Sequence, residues 1–82
     1  MKKRSVLISL RKQRNWSQKD VVERLSASYG LHITISYYGM IEQGVRTPKL
    51  ELALAISSLF ERSPDEIFFE QINNKTLGKS TA

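Results

Sequence analysis

The chain is 82 residues long, which bounds it to one domain with a modest core and no need of covalent staples. It has no cysteine, so a disulfide framework, a thiolate metal site and a thiol nucleophile are excluded. Its apolar runs fall far short of the ~20 residues of a membrane-spanning helix. The formal charge of +5 is unevenly laid out: residues 1–50 carry ten Lys/Arg against three acids, a net of +7, and the rest three against five, a net of −2. A basic first part and an acidic second part suit either a polyanion-facing side with another task at the opposite end, or simply a solvated, soluble surface. The start, MKKRSVLISLRKQR, has the positive opening of a secretory signal. Ser9 and Arg11 cut its apolar stretch, so a cytoplasmic chain is expected.

A first helix is predicted over about residues 5–15, where Val6, Leu7 and Leu10 form a narrow apolar stripe on a basic background. WSQKDVVERL opens a second. Ser17 is its cap and Asp20 sits at the third position, as in a capping box, while Trp16 and Val21 have the spacing of a hydrophobic staple. Val21, Val22, Leu25 and Tyr29 continue one face, and Gly30 before Leu31 closes the helix. LHITI alternates but is too short and isolated for a strand. The third helix lies in ISYYGMIEQ, capped by Thr34 or Ser36 and stopped by Gly44.

TPKLELALAISSLF starts the fourth, with Thr47 as cap, Pro48 at the first helical position and Leu52, Ala55, Ile56 and Leu59 inward. SPDE starts the fifth: Ser63 caps, Pro64 follows and Glu66 completes a capping box before Ile67, Phe68 and Phe69. Five helices and no convincing strand make an all-α domain over residues 1–70. The polar tail, residues 71–82, has little to bury and is expected to fray.

At ~100° per residue, Tyr38, Ile41 and Glu42 share one side of the third helix, and Ser36, Met40 and Gln43 the other, with Tyr37 and Gly39 on its flanks. The outer side has donors, acceptors and an adaptable apolar tip but no charge, which suits base edges and thymine methyls in a major groove. Gly39 weakens the helix; it serves either close approach to a DNA backbone or close packing of a neighbouring helix.

Helices two and three, joined by a short turn at Gly30 to Ile33, form a helix-turn-helix. LRKQRNWSQKDVVERL followed by YYGMIEQGVRTPKLELALAISSLF resembles the helix-turn-helix domain of phage Cro and CI repressors, the xenobiotic-response-element (XRE) family. The resemblance runs from about Leu7 to Phe69. It rests on L-R-x-x-R in helix one, S-Q opening helix two and I-E-x-G-x-R-x-P closing helix three, and it implies a five-helix, lambda-repressor-like fold. It further implies base contacts by Ile35, Ser36, Tyr37 and Met40, to which the reading of the helix face adds Gly39. Phosphate contacts are implied for Ser17, Gln18 and Lys19 at the start of helix two, and for Gln43, Arg46, Thr47 and Lys49 around the following loop. Arg11 and Glu42 match a structural ion pair. One departure stands out. The chain has a surplus of residues between Gln18 and the recognition-helix cap, placed in SASYGLHI as a longer helix two or a bulged turn.

Enzymatic readings find little support. His32 has no Cys or second His for a zinc site, Ser17 has no His–Asp company, Asp65-Glu66 belongs to a helix start, and GVRTP is not a phosphate loop. No metal, cofactor, small-molecule substrate or membrane partner is expected. Of Phe60, Ile67, Phe68 and Phe69, some must fill the core beneath helix four, but the three in a row cannot all face inward, and with the family precedent they point to a homodimer built on helices four and five rather than a monomer. The expected function is a DNA-binding regulator, a dimeric repressor of phage, plasmid or restriction-control type. The alternative is a protein-interaction module of antitoxin or adaptor kind on the same fold.

Overall fold

The computed structural model describes residues 3–68. Within them the chain forms five helices: α1 (Ser5–Gln13), α2 (Gln18–Tyr29), α3 (Ile35–Glu42), α4 (Leu50–Phe60) and α5 (Pro64–Phe68). The helices α2 and α3 pack on each other, α4 lies against α2 and α5, and α1 closes the bundle against α3 and α5. Leu7, Leu10, Val21, Leu25, Tyr38, Ile41, Leu52, Ala55, Ile56, Phe60 and Ile67 make one core, so every helix contributes to it.

Local chemistry sets most of the boundaries. The Ser17 side chain accepts from the Asp20 N–H at 3.0 Å, and the Asp20 carboxylate accepts from the Ser17 N–H at 2.8 Å, a reciprocal cap that satisfies two orphan donors. Ser63 and Glu66 repeat it at α5, with bonds of 3.1 and 3.3 Å. Gly30 ends α2 at φ 68°, a backbone angle that costs a residue with a Cβ far more. The N–H groups of Gly30 and Leu31 are taken by the Ser26 and Leu25 carbonyls. Thr34 caps α3 by accepting from the Tyr37 N–H at 2.9 Å.

Several expectations are corrected. Helix α1 stops at Gln13, because Asn15 turns left-handed at φ 58°. Tyr29, expected on the buried face of α2, is exposed. Helix α4 starts at Leu50, two residues after Pro48: Lys49 is the N-cap, extended at ψ 161°, with no side-chain cap bond, and its carbonyl accepts the first helical bond from Ala53. Pro48 and Ala53 are both buried, the positions before the cap and one turn into the helix where a hydrophobic staple places apolar groups. Packing of Pro48 thus sets the start of α4, in place of a Thr47 cap.

The described part of the acidic half packs into the shared core. Phe60 and Ile67 are wholly buried in the core, so they offer no surface to a second copy of the chain. The Trp16 ring meets Phe60 at 5.6 Å between centroids, and the guanidiniums of Arg24 and Arg14 lie 4.2 and 5.6 Å from the Trp16 centroid. Phe68 is half-buried against the core, and Phe69 lies outside the described residues.

Candidate nucleic-acid interface

The inner face of α3 is anchored by a buried charge. Glu42, 1% exposed, accepts from Arg11 Nε at 2.6 Å and Arg11 Nη2 at 3.1 Å, a two-pronged pair. The Gln18 Nε2 adds a bond to Glu42 Oε1 at 3.0 Å, and Arg11 Nη1 donates to the Trp16 carbonyl at 2.9 Å. Burial alone pushes the Glu42 pKa up; the bonds from Arg11 and Gln18 outweigh it and hold the carboxyl below its ordinary value. The Tyr38 hydroxyl lies buried beside this pair without a hydrogen bond of good geometry. Burial, and then the nearby Glu42 charge, raise its pKa well above the ordinary tyrosine value, so it stays neutral. One network therefore joins α1, the start of α2 and the end of α3.

The outer face is the reverse. Ile35, Ser36, Met40 and Gln43 are exposed, Tyr37 is half-buried, and none of them is charged. Ser36, Tyr37 and Met40 line one wall of an open groove of about 550 Å³; Val45, Arg46, Thr47 and Lys49 line the other, with Thr34 at its end. The backbone makes this groove by turning sharply at Gly44, φ 80°, where the Val45 N–H returns to the Met40 carbonyl at 2.9 Å. One wall is uncharged and offers the Ser36 and Tyr37 hydroxyls, and the other carries the charges of Arg46 and Lys49, chemistry compatible with base edges and phosphates. At the opposite flank, the N–H groups of Gln18 and Lys19 have no carbonyl one turn back, and Lys19 is largely exposed, with only a 3.9 Å pairing to Glu23. That helix end favours an anion.

A family model for helix-turn-helix domains matches residues 7–67. The chain belongs to the XRE/Cro–CI-type helix-turn-helix family. Members of this family are DNA-binding transcription regulators with the all-α, lambda-repressor-like fold. No curated protein and no solved structure matches the chain. Among the described residues no helix is long and apolar enough to cross a membrane, and no cluster of His and acidic residues could hold a metal ion.

Between Gln18 and the α3 cap the chain is helical to Tyr29 and then forms a connection over residues 30–34. His32 pins that connection through a 2.8 Å hydrogen bond between its Nδ1 and the Ser26 hydroxyl. Gly39 and Gln18 meet at the join of α2 and α3. A Cβ on Gly39 would meet Gln18 Oε1 at 3.3 Å, so the missing side chain leaves room for Gln18. The Gln18 amide is itself turned inward onto Glu42, which leaves the backbone N–H groups as the stronger anion donors at that end.

One residue escaped the sequence reading altogether. Arg4, from the segment before α1, donates through Nη1 to the Ile41 and Arg46 carbonyls at 2.7 and 3.0 Å. Only its charge was visible in the sequence. The partners lie 37 and 42 residues away, a separation that no local pattern encodes.

Proposed function

We propose that the chain is a sequence-specific repressor that binds double-stranded DNA as a homodimer. The observation that carries this reading is the groove between α3 and the following loop, with Ser36, Tyr37 and Met40 facing Arg46, Thr47 and Lys49. In this reading Ile35, Ser36, Tyr37 and Met40 meet base edges in the major groove. Gln43, Arg46, Thr47 and Lys49 take the phosphates on one side, and Ser17, Lys19 and the α2 N-terminus those on the other. Repression is the output that occupancy alone produces, since a protein covering a promoter blocks polymerase without any further contact. Support for a dimer comes from α4, where Leu50 and Leu54, one turn apart and 75% and 47% exposed, present an apolar edge beside the DNA-facing loop. They replace Phe60 and Ile67 as the proposed self-association surface.

The deciding experiment is binding to a labelled duplex from upstream of the protein's own gene, against a scrambled duplex, across a salt series. A preference of ~10³ or more with a steep negative salt slope is expected. Weak, equal binding to both duplexes would overturn the reading and favour a protein partner. Sedimentation of Leu54→Lys tests the dimer, which this change should dissociate.

A further inference from the structure

Arg4 breaks the rules of helix capping. It occupies the N-cap of α1, where its side chain accepts nothing from the first turn, although a Ser, Thr, Asp or Asn would. The side chain crosses the molecule instead. Its Nη1 bridges the carbonyls of Ile41 and Arg46, its backbone N–H donates to the Glu42 carbonyl at 2.8 Å, and its guanidinium lies 5.3 Å from the centroid of the Phe68 ring. Ile41 and Glu42 are the last residues of α3, so their carbonyls have no partner within the helix. A cation there also meets the negative end of the helix dipole. Arg46 belongs to the loop that forms the basic wall of the groove. One nitrogen therefore joins the end of the base-reading helix to the backbone of the phosphate-facing loop and leaves the Arg46 side chain exposed.

We propose that Arg4 is a positioning residue for DNA binding: by bridging the Ile41 and Arg46 carbonyls it fixes the loop against α3, and so sets the spacing between phosphate contacts and base contacts without touching DNA. This rests on the reading of Arg46 as a phosphate contact. The Arg4 Nη1 already serves two carbonyls, and its guanidinium is covered on one side by Phe68, so a substitution acts through the loop. A purely structural clasp between α1 and α3 would change stability and leave the folded protein's DNA binding intact.

The test is a double-mutant cycle of Arg4→Ser and Arg46→Ala on a duplex that the unaltered protein selects from a randomised pool, with salt titrations and melting curves. Serine is chosen because it supplies the missing α1 cap and offsets lost tertiary bonds. Arg46→Ala should weaken binding about tenfold and reduce the salt slope by about one. Arg4→Ser should do nearly the same while remaining folded, and the double variant should be no worse than Arg46→Ala alone. Should Arg4→Ser fail to fold, Arg4→Lys runs the same cycle: it keeps the charge but cannot reproduce the planar fork, and a partial loss is expected. Unchanged binding by the folded Arg4 variant overturns the inference. So do additive losses with a slope reduced by about two in the double variant, for then Arg4 meets a phosphate itself. If Arg46→Ala alone binds normally, the reading of the loop fails and takes the inference with it; additive losses sink the inference only.

Discussion

The two faces of α3 are built from opposite chemistry. Inward, Tyr38, Ile41 and Glu42 are buried, and Glu42 is held by three bonds from two other helices. Outward, Ser36, Met40 and Gln43 are exposed and uncharged. The inner face spends a buried charge, a costly device for stability alone, on holding the helix at one height and rotation. The outer face is thereby free for the base contacts proposed above, since its exposed side chains are not packed into the core. In the proposed reading, positioning and recognition fall to different residues of the same two turns.

Breaking the inner face should have the largest effect. Glu42→Ala leaves the Arg11 guanidinium, only 13% exposed, without its carboxylate, and removing one partner of a buried pair costs about 3 kcal/mol or more. In a domain of this size that lowers Tm by at least about 10 °C, measurable by circular dichroism, and DNA binding should fall with it.

Acid attacks the same place more gently. The folded-state pKa of Glu42 is depressed, so its contribution is fully present above the pKa of an unfolded glutamate and is lost as pH falls through the folded value. Asp20 and Glu66 are depressed too, through their caps to Ser17 and Ser63, but neither is buried. Melting curves on descending through the acidic range should show the unaltered protein losing stability more steeply than Glu42→Gln. Parallel curves would mean that Glu42 is not the group that titrates.

The outer face should answer in the opposite currency. Ser36→Ala or Met40→Ala should leave stability within about 0.5 kcal/mol, while affinity for the selected duplex falls by about 1–3 kcal/mol. The loss should be concentrated at particular base positions. A uniform loss on all sequences would assign the residue to the phosphate strand.

Much of this division was legible beforehand, for a physical reason. Caps and helix faces are local: Ser17 and Asp20, Ser63 and Glu66, and Gly30 each act within a few residues, and Tyr38, Ile41 and Glu42 share a side by helical geometry alone. What escaped is tertiary. Three apolar residues in a row at 67–69 cannot say which of them enters the core, so Ile67 and Phe60 read as interface although both are interior. Thr47-Pro48 has the local form of a helix start, and only the burial of Pro48 shows that the start comes later. Arg4 looked like one more basic residue until its carbonyl partners were in place.

Gly39 lies between the two faces, and its replacement gives the smallest and sharpest test. Alanine there gains about 1 kcal/mol of helix propensity over glycine. Its Cβ would stand 3.3 Å from Gln18 Oε1, closer than an ordinary contact, and Gln18 is not free to move away because its Nε2 is bonded to Glu42. Gly39→Ala in the unaltered protein therefore sets a propensity gain against a displaced amide and a weakened hold on Glu42, and the two should nearly cancel. With Gln18→Ala the obstacle is gone, and Gly39→Ala should stabilise by about the full 1 kcal/mol. Denaturant titrations of the four proteins measure the difference. If Gly39→Ala has the same effect in both backgrounds, Gln18 does not constrain position 39 and is not the reason for a glycine there.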